Sequence, residues 1–75
     1  MAAERTYDRT WEEIESMLAR AEKKMRKWRD FYEDCRERGD RDGMNDAARI
    51  FNALEGVIKT LKWTLGDVSI ETPLE

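Results

Sequence analysis

Apolar and small side chains recur along residues 11–35 at spacings of three and four that alternate without interruption. They are Trp11, Ile14, Leu18, Ala21, Met25, Trp28, Tyr32 and Cys35. This spacing is a heptad repeat that places these side chains on one side of a helix, at positions a and d in turn. Met17 and Phe31 fall at the neighbouring position g and widen the apolar stripe. The pattern predicts a helix that packs against more than one neighbour.

Both ends of this first helix carry capping signals. Thr10 followed by Glu13 predicts a capping box, in which each side chain binds a backbone N–H that the helix leaves without a partner. Gly39 can adopt the left-handed conformation that commonly follows a helix. We therefore expect a helix over about 10–38, preceded by a flexible segment over 1–9.

A second heptad pattern follows a short break. Its a and d residues are Met44, Ala47, Phe51, Leu54, Ile58, Leu61 and Leu65, with Ile50 and Val57 at g. The break over 39–43 contains two glycines and two aspartates, which is typical of a turn. Asp42 and Asn45 are the possible caps, and Asp42 is preferred. We expect a second helix over about 44–65 and a non-helical tail over 67–75.

The length of the chain limits how much of these two stripes it can bury. Seventy-five residues form one small domain, here 10–66, whose hydrophobic core is marginal on its own. One cysteine cannot form an intrachain disulfide. A hairpin has one helix–helix seam in which to bury two wide stripes. The predicted fold is therefore all-α: a long antiparallel two-helix hairpin that dimerises into a four-helix bundle, with the orientation of the two hairpins left open.

Large apolar side chains on the seam and beside it form the predicted interface with a second copy or another protein, since exposed apolar patches mark interaction sites. They are Trp11, Ile14, Leu18, Met25, Trp28, Phe31, Ile50, Phe51, Val57 and Trp63. Trp63 falls on the outer face of its helix. It is either covered by the tail, through Val68 or Ile70, or it anchors a partner, because tryptophan is enriched in interface hot spots.

Charged residues make up 41% of the chain, yet the net charge is only −3. A mixed-sign surface of this kind lacks the one-sided field of a strongly basic nucleic-acid-binding protein. The charge is nevertheless uneven, because segments 1–19, 20–38 and 39–75 carry −3, +3 and −3. The excess of positive charge therefore lies in the middle segment.

Four cations of the middle segment lie at i, i+3, i+4 and i+7 and so follow one outer line of the first helix. They are Arg20, Lys23, Lys24 and Lys27, and we call them the basic stripe. The stripe is either a solvated face or a surface that binds nucleic acid or an acidic protein. The solvated face is the favoured interpretation, because the spacing predicts the ordinary i,i+4 ion pairs Glu22–Arg26, Arg26–Asp30 and Arg29–Glu33.

The residue types present exclude most catalytic chemistry. No histidine is present, which removes His-based triads and His-ligated metals. Cys35 at a d position is interpreted as a small buried hydrophobic residue, and the alternative is an interchain disulfide or a redox-active thiol. A calcium loop around Gly43 fails because Arg38 and Arg49 occupy its first and last ligand positions. We expect no catalytic residue, no cofactor and no metal site.

Two further features bear on location. No apolar run approaches the roughly 20 residues that span a bilayer, and the start of the chain lacks the apolar region of a secretory signal. We therefore expect a cytoplasmic protein with no membrane association.

These expectations favour a small non-catalytic helical interaction protein of assembly, adaptor or inhibitor type, which acts through a self-associated helical surface. The partners would be a second copy of the chain and a further protein that the residues do not identify. The alternative is a nucleic-acid-associated regulator that uses the basic stripe. Charge-rich hairpins of this size recur among small proteins of bacteria and their viruses, which is an analogy of fold alone.

Overall fold

The computed structural model describes residues 3–75, in which two α-helices hold all of the regular secondary structure. Helix α1 spans Trp11–Arg38 and helix α2 spans Arg41–Thr64. The helices pack against each other, and the two-residue connection between them makes them antiparallel. The prediction of an all-helical fold with two packed helices is confirmed. Residues 1 and 2 of the predicted flexible segment lie outside the described residues.

The first turn of α1 is closed by the predicted capping box. The Thr10 hydroxyl accepts the backbone N–H of Glu13 at 3.1 Å, and the Glu13 carboxylate accepts the backbone N–H of Thr10 at 3.3 Å. Arg9 donates to the same carboxylate at 2.9 Å. These hydrogen bonds, that of Arg9 first, lower the pKa of Glu13. The carboxylate is therefore held charged at the positive end of the helix dipole.

Helix α1 ends and α2 begins within two residues. Gly39 has a φ of 71°, and its N–H donates to the carbonyl of Arg36 at 3.2 Å. The N–H of Asp40 donates to the carbonyl of Cys35 at 2.9 Å, which completes a Schellman motif. The Asp40 carboxylate then accepts the N–H of Gly43 at 3.0 Å and caps α2.

The second helix therefore starts earlier than the hydrophobic pattern indicates. The prediction of a turn over 39–43 with Asp42 as the preferred cap is wrong, because α2 begins at Arg41 and Asp40 is its cap. The left-handed Gly39 has already reversed the chain, so the Asp40 carboxylate reaches the third N–H of the new helix. As a result, Gly43 lies inside α2.

The buried core of the described chain is small. Its buried apolar residues are Ala21, Cys35, Ala47 and Ile58. Cys35 and Ala47 are completely buried, at the end of the hairpin where the two helices are joined. A Cβ atom at Gly43 would lie only 2.7 Å from the Cys35 sulfur and 2.6 Å from an Asp40 carboxylate oxygen. The helices can approach each other here because position 43 has no side chain.

The C-terminal tail folds back onto the hairpin without forming a helix. Asp67 accepts the backbone N–H of Ser69 at 2.9 Å and its hydroxyl at 2.7 Å, and these hydrogen bonds lower the pKa of Asp67. Ile70 then lines a groove between the helices. Further along, Lys59 donates to the backbone carbonyl of Glu75. The tail therefore covers part of one side of the helix pair.

Candidate interaction surface

The two long sides of the hairpin differ in chemistry. On one side, Trp28 and Phe31 of α1 line a depression together with Ile50 of α2. On the other side, Arg29 of α1 and Ala48 of α2 line a second depression. Because the helices are antiparallel, the g positions of both meet on the first side and the e positions on the second. The two sides therefore expose different side chains, from the g positions on one and the e positions on the other.

The g side is open and mostly apolar, with Lys24 of the basic stripe as its charged member, and we call its residues Met17, Phe31, Ile50 and Val57 the apolar flank. Phe31, Val57 and Met17 are 41%, 44% and 47% exposed, which is high for large apolar side chains. The rings of Trp28 and Phe31 pack edge to face, with their centroids 5.4 Å apart and their planes at 78°. This geometry is favourable and fixes the relative orientation of the two rings.

The e side is polar and carries the tail. Met25 and Phe51, both predicted interface residues, line the groove there with Ile70 of the same chain. Charged residues occupy the e positions around them. These are Glu22, Arg29, Glu55 and Lys62. Trp28, Phe31 and Ile50 thus lie together on the g side. Met25 and Phe51 lie apart from them, on the e side.

The remaining predicted interface residues lie on the seam or near the open end of the hairpin. Ile14 and Leu18 are half-buried on the seam. Trp11 is 65% exposed and Trp63 is 50% exposed. Val68 is almost fully exposed, so it does not cover Trp63, and the tail leaves half of that ring open. A role for these residues in binding stays a prediction.

The basic stripe lies along α1 as the sequence spacing predicts. Its residues line one shallow depression together with Arg26 and Asp30. Within residues 3–75, no cation of this depression forms an ion pair. Five cations thus share this depression with one carboxylate, that of Asp30, and none of them is within ion-pair distance of it.

The ion pairs predicted for α1 are wrong in their partners. Glu22–Arg26, Arg26–Asp30 and Arg29–Glu33 do not form among the described residues. Three other contacts take their place towards the end of the helix. They are Arg29–Asp30 at 3.9 Å, Arg36–Glu33 at 3.7 Å and Arg38–Asp34 at 3.6 Å. Because these pairs are exposed, they contribute little to stability.

Two features of the surface were missed in the sequence. Asp46 and Arg49 line the depression beside Trp28 and so place one acid and one base at the edge of the apolar flank. Gly43 lines the same depression, and it lies seven residues before Ile50, in register with the flank. That seven-residue spacing is the signal that could have placed Gly43 inside α2.

The chemistry of the remaining groups is limited. Cys35 is completely buried, and the guanidinium of Arg38 donates to its sulfur at 3.5 Å. This hydrogen bond raises the pKa of Arg38. Residues 3–75 contain no cluster of acidic, cysteine or histidine side chains that could hold a metal ion. Neither of the two described helices combines the length and apolarity needed to cross a membrane.

Comparisons with protein-family models, curated proteins and solved structures found no match to this chain. The class that the structure defines is a two-helix, all-α hairpin with an open apolar flank. Any function must be argued from that surface.

Proposed function

We propose that this chain is a small non-catalytic interaction protein of the cytoplasm, of assembly, adaptor or inhibitor type, that works as a homodimer. In this proposal two hairpins form a four-helix bundle and bury the apolar flank. The bundle then presents its outer helical surfaces, with Trp63 among them, to a further protein.

The observation that carries the proposal is the exposed area of the single chain. The chain exposes 6515 Å². A compact monomer of its mass, 8.9 kDa, would expose about 4,800 Å². The excess of about 1,700 Å² is larger than the ~800 Å² that each partner contributes to a standard interface. Part of it comes from the exposed, non-helical segment 3–10, and the apolar flank supplies the part suited to association.

The shape and the core agree with the area. The radius of gyration is 15.4 Å, whereas a compact domain of this length has a value of about 11 Å. Chains of fewer than ~70–80 residues seldom bury enough apolar surface to offset their conformational entropy without a staple or a partner. This chain has no disulfide and a core dominated by small residues. Self-association through the apolar flank supplies the missing burial.

Placing charge on the apolar flank is expected to dissociate the dimer. Phe31→Glu/Val57→Glu puts one carboxylate on each helix within the apolar flank that the proposed dimer buries, where an unpaired buried charge is strongly unfavourable. Sedimentation equilibrium from ~1 to ~100 μM should give a dimer for the parent, and an association at least about 100-fold weaker for the variant.

The matched control adds the same two carboxylates away from the flank. Asn45→Glu/Asn52→Glu changes two exposed positions on the outer face of α2 and should leave the dimer mass unchanged. Far-UV circular dichroism checks that both variants remain helical. A monomeric parent at ~100 μM, or a flank variant that associates as tightly as the parent, would contradict the proposal.

The second candidate is a nucleic-acid-associated regulator, and one observation favours it. The cations of the basic stripe have no carboxylate partner in the described chain and are free to contact phosphates. Such binding is driven by counterion release and weakens steeply as salt rises.

If the second candidate holds, reversing two charges of the stripe is expected to abolish binding. Lys23→Glu/Lys27→Glu should weaken retention of a 20-nucleotide single strand at ~50 mM salt by more than tenfold and lower the salt slope. Arg41→Glu/Arg49→Glu makes the same charge change on α2 and should have a much smaller effect. Fluorescence anisotropy measures both variants, and a parent that shows no binding at low salt eliminates this candidate.

A further inference from the structure

Opposite charges are unevenly distributed along the outer side of α1, with Arg9 paired to Glu13 at its first turn and Asp30 within the basic depression. Glu12 and Glu13 line a shallow depression in its first turns, together with Met17 and Arg20. Arg20 also lines the next depression, which holds the basic stripe. The acidic and the basic parts are thus neighbours on the same line, about 18 Å apart between Glu12 and Lys24. Met17, an exposed apolar residue, lies between them.

We propose, building on the homodimer above, that the two copies dock with their α1 helices antiparallel. The acidic first turn of each copy then lies against the basic stripe of the other. The two-fold axis passes α1 between Met17 and Arg20. In a two-fold dimer both copies contribute the same surface. On this surface the acidic and basic parts face each other only when the two α1 helices run antiparallel. Parallel docking would place acid on acid and base on base, and this like-charge repulsion disfavours it.

The apolar groups fit the same arrangement. An axis between Met17 and Arg20 brings Met17 of both copies to the centre of the contact. Met17 is 47% exposed in the single chain, so this docking covers an exposed apolar side chain together with the basic stripe.

This docking and nucleic-acid binding compete for the same cations. If the acidic first turn of a second copy covers the basic stripe, Lys24 and Lys27 cannot contact phosphates. In one proposal the stripe is covered by a second copy of the chain, and in the other by nucleic acid. The acidic first turn of the chain favours the second copy. Oligonucleotide binding by the dimer therefore reports whether the basic stripe is covered.

The test is a chain whose two charged parts are exchanged. Lys24→Glu/Lys27→Glu replaces two of the four cations of the basic stripe with carboxylates and should weaken self-association at least tenfold, because attraction becomes repulsion where these positions face the acidic first turn of the partner. Adding Glu12→Lys and Ser16→Lys to that variant restores complementarity and should return association to within about threefold of the parent. Glu13 is left unchanged so that the capping box survives.

Mixing the parent with the exchanged chain identifies the direction of docking. Native mass spectrometry separates the three dimers by mass, and random pairing gives a 1:2:1 ratio. Antiparallel docking predicts a mixed dimer well below the statistical half. Random pairing would remove α1 charges from the interface, and an excess of mixed dimer would indicate parallel docking. Both results overturn this inference while leaving the homodimer intact.

Two other outcomes are distinguishable. A parent chain that stays monomeric at ~100 μM overturns the homodimer and this inference together. A parent dimer that retains a single-stranded oligonucleotide, and loses it in Lys24→Glu/Lys27→Glu, places the stripe outside the interface and overturns this inference alone. Circular dichroism on each variant confirms that α1 remains folded.

Discussion

Gly43→Ala is expected to destabilise the hairpin by roughly 2 kcal/mol, although alanine is the better helix former. The new Cβ would lie 2.7 Å from the sulfur of Cys35, which is completely buried and has little room to move. It would also lie 2.6 Å from the carboxylate of Asp40. Moving that carboxylate weakens the cap of α2, so the substitution affects both the packing and the helix start. The midpoint of thermal unfolding should fall by about 10 °C, measured by circular dichroism.

The same substitution at Gly56 is the matched control. Gly56 also lies inside α2, but a Cβ atom there would meet no atom within 4 Å. Gly56→Ala should therefore stabilise the helix by about 1 kcal/mol. The double variant Cys35→Ala/Gly43→Ala removes the sulfur and should recover part of the loss. Equal effects at Gly43 and Gly56 would show that the two helices do not approach closely at the connection.

Ile58→Ala is expected to cost about 3 kcal/mol, the largest effect of a single substitution in this chain. Ile58 is the only large aliphatic side chain that is buried among the described residues, at 8% exposed. It lies between the seam and the groove that receives Ile70, so its removal leaves a cavity and loosens the tail. Urea unfolding should show a lower midpoint at every protein concentration, because these contacts lie within one chain.

The neighbouring residue provides the contrast. Val57 is 44% exposed on the apolar flank, and in an isolated hairpin Val57→Ala should cost less than about 1 kcal/mol. In the proposed dimer the flank is buried, so the effect of Val57→Ala should grow as protein concentration rises. A loss at Val57 that equals the loss at Ile58 at ~1 μM would show that the flank is covered within the single chain.

The predicted part of the fold rests on short-range rules. The capping box at Thr10 and the left-handed Gly39 follow from residues within three or four positions of each other, and both are present. The start of α2 was missed because the sequence pattern suggested Asp42 or Asn45 as the cap. The actual cap, Asp40, lies before both and was not considered. The choice depended on the chain reversal at Gly39, which brings Asp40 to the N–H of Gly43.

The interface residues show the limit of pattern reasoning more clearly. Phe31 at g and Phe51 at a both belong to an apolar stripe, and the sequence treats them alike. In the structure Phe31 lies on the open flank, whereas Phe51 lines the groove that the tail enters. The path of the tail has no helical period, so no local spacing could indicate which side it would cover.

The sequence by itself determined that this chain forms two amphipathic helices, each with a seam and a flank, because heptad spacing and capping act between near neighbours. Only the tertiary structure decided which flank stays open. Antiparallel packing puts the apolar g positions of both helices on one side, and Ile70 docks on the other. The close approach at Gly43 was likewise decided by packing, since it depends on the distance to Cys35 across the seam.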